Sequence, residues 1–169
     1  MSGSLLDAAF AYNTWATLRL IDACAGLSAE ELQTDVPGTR GPLIETLRHI
    51  VNGEAFDLEI LTGIPADESL ERMTPRELRE PTEELGTAWS RFLVQPIDPD
   101  EMVREVDPSD GYERTAPLAF RLAGTLNHGS DHRSQICTAL TTLGIEPPKI
   151  DVMNYGLEIE RVTEVWPGT

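Results

Sequence analysis

Lysine is almost absent from this 169-residue chain: Lys149 is the only one, and the rest of the positive charge is arginine. Thirteen basic side chains stand against 29 acidic ones, for a formal net charge of −16. Such a surface repels phosphate backbones and anionic lipid, which argues against nucleic acid or a membrane as partner. Long apolar runs are missing too, and no stretch approaches the ~20 apolar residues a spanning helix requires. The opening MSGSLLDAAF has neither a basic start nor a long apolar segment, so no secretory leader is expected and the expected location is the cytoplasm. The two cysteines, Cys24 and Cys137, lie far apart and form no C-x-x-C pair. They read as small buried hydrophobes and not as a disulfide framework. Internal repeats and low-complexity tracts are absent as well.

What is present suits one domain over residues 1–169, with a hydrophobic content of 40%. Apolar positions recur at three- and four-residue steps in four long segments. The first runs from Leu5 to Ala25, with Asn13 among its apolar positions, and Gly26 stops it. Ser28 and Glu31 form a capping pair for a short turn, and TDVPGTRG is a loop by composition. The second helix runs from Pro42 to Leu61, with Leu43, Leu47, Ile50, Glu54 and Leu58 on one face. Residues 63–81 read as a connection broken by Pro65, Pro75 and Pro81, with a capped turn at TPRE. The third helix is expected from Thr82 to Val94. MVREVDPSDGYERTAP, residues 102–117, has two alternating arms around a PSDG turn and reads as a small β-hairpin. The fourth and longest helix spans Pro117 to Leu143, and a short last helix is expected from Asp151 to Val162. The fold class is therefore all-α: a four-helix bundle with a long crossover connection, plus a small hairpin before the last long helix.

The chain has only three histidines, and two of them sit four residues apart in LNHGSDHRSQI. On a helix His132 lies about 40° round from His128, with Asp131 and Gln135 close by, beside the apolar stripe. Imidazoles at this spacing can reach one ion, as they do in H-E-x-x-H zinc helices. Residue 129 is glycine, however, so the glutamate base of that motif is missing. A lone pair at this spacing also arises by chance, and a single inward histidine is usually a hydrogen-bonded core residue. His49, midway along the second helix, shifts the balance. Bundles build metal sites by aiming side chains inward from facing helices, and His49 with His128 and His132 uses every histidine present.

Around these three, Glu45 and Asp131 are candidates to accept the outer N–H of a liganding imidazole. Asn52 and Gln135 are candidates to hydrogen-bond a bound water or substrate. Tyr112 and Tyr155 are further candidates to approach the site. Arg133 falls on the apolar side of the wheel and is expected in a structural ion pair.

AYNTWATLRLIDACAGLSAEEL, ETLRHIVNGE and NHGSDHRSQICTALTTLGIEPPKID together resemble the DinB family, in register along most of the chain. That resemblance implies a four-helix bundle of unusual connection order and frequent homodimers, and the family's name refers to damage-inducible expression. It also implies a divalent ion, zinc or nickel, held by His49, His128 and His132. Some relatives transfer or isomerise substrates with low-molecular-weight thiols such as bacillithiol or mycothiol. Two positions depart from the usual signature: Ser134 stands where the family has glycine, and Asp131 directly precedes the last histidine.

Three neutral ligands leave an open position on a divalent ion, which is the mark of a catalytic site. The reading is a metal-dependent S-transferase acting on a small thiol. Its alternatives are a hydrolase using activated water and a non-catalytic metal-binding stress protein. A lysine-poor, arginine-rich composition is typical of GC-rich bacterial genomes and favours mycothiol over bacillithiol.

Overall fold

Each long helix has a start signal and a stop in its own sequence. A computed structural model describes residues 4–106 and 110–166. Helix α1 (Leu5–Cys24) begins at a Ser4/Asp7 capping box, and the short α2 (Ala29–Leu32) begins at the Ser28/Glu31 box. Helix α3 (Leu43–Thr62) follows Pro42 and ends at Gly63, whose φ of 72° is the left-handed stop that glycine adopts without strain. A 3₁₀ turn, Glu68–Arg72, lies in the connection that follows. Helix α4 (Pro75–Leu93), strands β1 (Met102–Val106) and β2 (Glu113–Pro117), helix α5 (Leu118–Thr142) and helix α6 (Val152–Glu158) complete the order.

Helix α4 starts a full two turns before the expected Thr82. Thr74 and Glu77 form a reciprocal capping box and Pro75 occupies the first turn, so the TPRE motif nucleates the helix itself and not an isolated turn. Pro81 lies inside α4. It removes one backbone donor, but Leu78 and Thr82 on either side are buried and hold the early turns in the bundle. Helix α6 stops at Glu158, short of the expected Val162. The chain doubles back there, and the amides of Arg161 and Val162 both donate to the Gly156 carbonyl. A Cβ at Gly156 would meet the Val162 side chain at 2.4 Å, so the glycine makes room for Val162 in this return.

The expected hairpin is present, with Met102 paired to Pro117 and Val106 to Glu113 in antiparallel register. Residues 107–109 of its turn lie outside the described residues. A largely buried Arg121–Glu105 ion pair docks the hairpin on α5.

Helix α1 packs on α4 and α5, and α3 packs on the same two. Consecutive long helices α1 and α3 are thus diagonal, as are α4 and α5. The connections after α1 and after α4 cross the bundle, whereas residues 63–74 join neighbours.

The core forms two apolar clusters. One holds Leu20, Leu47, Ile50, Leu78, Ile136 and Leu140. The other holds Phe10, Leu58, Trp89, Leu93, Leu118 and Leu122. Asn13 on α1, Glu54 on α3 and Arg133 on α5 are buried and fall between the two clusters along their helices. Among the described residues no helix is long and apolar enough to cross a membrane.

Candidate metal centre

The α3–α5 seam brings the three histidines together. Their ligand nitrogens all lie within 4.8 Å of one another. The rings meet edge to face, with centroids 4.6–4.7 Å apart, and the Nε2 atoms of His49 and His128 are 2.9 Å apart. All three are half-buried, so a small molecule can reach them.

Their protonation state suits metal ligation. Burial, followed by the Arg40 charge and the other two histidines, lowers the His49 pKa to about 4. Burial, followed by His132 and Arg40, lowers that of His128 to about 4, against an opposing pull from Asp131. Both imidazoles are therefore neutral at pH 7, and a metal need not displace protons from them. Two nitrogens on one tetrahedral ion are about 3.3 Å apart, and the His49 and His128 Nε2 atoms are 2.9 Å apart. A neutral all-imidazole donor set fits zinc or nickel better than it fits hard oxygen-seeking cations.

Gln135, one of the residues expected at the site, orients a ligand. Its Oε1 lies 3.2 Å from His132 Nδ1, an interaction that places the proton on Nδ1 and leaves Nε2 free to bind. The same oxygen accepts the Arg40 backbone N–H at 2.8 Å, which ties the 34–42 loop to the site. The other candidates are placed differently. Glu45 is exposed and pairs with Arg48 at 2.7 Å. Asp131 is exposed and accepts from Asn127 at 3.2 Å. Asn52 is half-buried one turn beyond His49 and has no side-chain bond among the described residues. Tyr155 packs on Tyr12 and Trp15, and Tyr112 is exposed beside Arg114.

Two glycines shape the seam. A Cβ at Gly53 would meet His128 Cε1 at 2.6 Å, so the imidazole rests directly on the α3 backbone. A Cβ at Gly129, the position where a zinc-helix glutamate is missing, would strike Arg133 Nη1 and Asn13 Oδ1, both at 2.7 Å. That glycine makes room for a buried polar layer. Arg133 donates to Asn13 Oδ1 at 2.6 Å, and Asn13 Nδ2 donates to Glu54 Oε1 at 2.7 Å. Asn13 thus stands between Arg133 and its carboxylate, where a direct ion pair was expected. Glu54 Oε2 and the Trp89 indole N–H make no well-formed hydrogen bond among the described residues, although the indole N–H still pulls on the carboxyl. Burial raises the Glu54 pKa to about 7, against the opposing pulls of Asn13 and Arg133. Sequence reasoning missed this layer, although Asn13 and Glu54 sit at apolar positions of their helices.

A separate cavity of about 520 Å³ lies between α3, α4 and the 63–72 connection, and none of the three histidines lines it.

The DinB family model matches residues 1–161. The chain belongs to the DinB family. A search of curated proteins returned no match. Family membership and the three-histidine cluster together are compatible with a divalent-metal protein.

Proposed function

We propose that this DinB-family chain is a metal-dependent S-transferase in which His49, His128 and His132 hold zinc or nickel. The observation that carries the reading is the convergence of three half-exposed imidazoles, two of them held neutral well below pH 7. When bound, a divalent ion supplies a positive charge that lowers the pKa of a thiol or water brought to it.

The family resemblance favours the thiol, since the three histidines by themselves would serve water equally well. Cys24 is buried and its pKa is raised to about 12, chiefly by burial. Burial also raises the Cys137 pKa. Neither forms a thiolate near neutral pH, so the nucleophilic sulfur has to arrive from outside as a low-molecular-weight thiol. Mycothiol is the leading co-substrate, ahead of bacillithiol. Gln135 holds His132 in one tautomer, and Gly53 seats His128.

In the reaction the sulfur attacks an electrophilic carbon, an S–C bond forms, and the leaving group departs with its electron pair while the thiol proton passes to solvent. The same reading takes residues 1–169 as one cytoplasmic DinB domain. It also takes the chain as a homodimer, which sedimentation at micromolar concentration checks.

The test is a panel of mycothiol, bacillithiol, glutathione and coenzyme A with a chromogenic electrophile, run beside ester and amide hydrolysis assays. Metal-dependent conjugation that disappears in His132→Ala is expected. Hydrolysis without any thiol would replace the transferase reading with activated water. Inactivity in both assays would leave a non-catalytic stress-response metal protein.

A further inference from the structure

We propose that Asp57 recognises the ligand of the histidine site, accepting a hydrogen bond from an amino or hydroxyl group carried about one helical turn from the atom that meets the ion. The inference rests on the three-histidine reading and names the chemistry of what that site accepts.

Three contacts along the α3–α5 seam place Asp57 beside the histidines. His49 meets His128 across the seam, Nε2 to Nε2 at 2.9 Å. One turn further along α3, Gly53 lies under His128, where an added Cβ would stand 2.6 Å from Cε1. One turn beyond that, Asp57 Oδ2 accepts the Thr125 hydroxyl at 2.6 Å. Side chains three or four residues apart on a helix stand about 5–6 Å from each other. Asp57 follows Gly53 by four residues and Thr125 precedes His128 by three, so both helices put the carboxylate one turn from the His128 ring.

Asp57 keeps one oxygen open. Thr125 occupies Oδ2, whereas Oδ1 accepts no hydrogen bond among the described residues and is not enclosed. The side chain is half-buried and has no ion pair among the described residues. Arg121, one turn before Thr125, is bound to Glu105. Burial raises the Asp57 pKa, against the opposing pull of the Thr125 bond. A half-buried carboxylate with an open oxygen and no cation is stabilised by a donor that comes to it. Glu45 and Asp131 exert no such pull, because both are exposed and already bonded.

The span between the histidines and Asp57 suits a carbon chain. On the α3 wheel Phe56 and Ile60 lie within about 20° of His49. Both are half-buried, and among the described residues neither belongs to the two apolar clusters. Their side chains give the ligand an apolar wall on the way to the carboxylate.

The test uses cobalt-loaded protein, whose visible absorption reports thiol binding without turnover. Three thiols of equal chain length are titrated: 4-aminobutane-1-thiol, 4-mercaptobutan-1-ol and 1-pentanethiol, which end in ammonium, hydroxyl and methyl. 2-Aminoethanethiol and 1-propanethiol form a shorter pair that cannot span one turn. The expected result is tighter binding of the two long donor-bearing thiols than of 1-pentanethiol, with little preference within the short pair. In Asp57→Asn, which retains an acceptor for Thr125, the preference for 4-aminobutane-1-thiol should fall about tenfold with cobalt content unchanged. Equal binding of the three long thiols by the unmodified protein, a preference as large in the short pair, or one that survives in Asp57→Asn would overturn the assignment while leaving the metal reading intact. Failure of cobalt to bind the unmodified protein would instead overturn the three-histidine reading and this inference with it.

Discussion

Arg133→Ala is expected to destabilise the fold by about 3–5 kcal/mol, the usual consequence of removing one member of a buried charged network. Arg133 is fully enclosed, and its guanidinium reaches Asn13 Oδ1, Thr17 Oγ1 and Ser130 Oγ at 2.6, 3.3 and 3.2 Å. Truncation leaves Asn13 without its donor, Glu54 without a nearby positive charge, and a cavity between the two apolar clusters. For a chain of this length the loss corresponds to a fall in Tm of roughly 10 °C, which thermal denaturation checks. Arg133→Lys keeps the charge but loses the fork and should fall between. A loss under about 1 kcal/mol in the alanine variant would show that the layer does not hold the helices together.

Glu54 adds a pH signature to the same network. Folded Glu54 keeps its proton to about pH 7, whereas the carboxyl ordinarily titrates near 4.5. The folded state therefore binds more protons in that window, and the Glu54 contribution makes stability decline as pH rises through it. His49 and His128, lowered from 6.5 to about 4, act oppositely, and their contribution is lost as pH falls from 6.5 towards 4. The Glu54→Gln variant should lose the decline and keep the acid-side loss.

The second large effect is expected at Gly53. Alanine there places a Cβ 2.6 Å from His128 Cε1, and the ring must retreat by about 0.8 Å to reach ordinary contact at 3.4 Å. Glycine inside a helix is unfavourable relative to alanine by about 1 kcal/mol, so α3 itself gains from the change. Helicity and Tm should hold or rise while metal affinity falls more than tenfold, because a ligand displaced by this much leaves the productive geometry. Competition with a chromogenic chelator measures the affinity. Unchanged affinity in Gly53→Ala would mean that the position of His128 does not matter to binding.

The four long helices were legible because their apolar residues keep helical spacing and their ends carry capping pairs, glycine or proline. The hairpin was legible from its alternating arms. The early start of α4 was not, because Pro81 reads as a break unless the buried Leu78 and Thr82 are known to anchor the turns around it. The diagonal placement of α1 and α3 depends on how helix faces match in three dimensions, which a linear pattern does not carry. At the site, histidine spacing pointed to the cluster, and Gln135 was named from its place on the wheel, although as a group facing water or substrate. Gly53 left a faint signal as a helical glycine one turn beyond His49. Asn13 and Glu54 left a stronger one, as polar residues at apolar positions. The Arg40 amide contact with Gln135 left none, since it follows from a loop that folds back onto α5.

The central claim is that His49, His128 and His132 together hold one divalent ion. Elemental analysis of protein purified without chelator, beside a variant carrying alanine at all three positions, tests it most directly. The expected result is close to one equivalent of zinc or nickel per chain in the unmodified protein and none in the variant. The variant should remain strongly helical by circular dichroism, because the two apolar clusters do not depend on the site. Equal metal content in the two proteins would contradict the account.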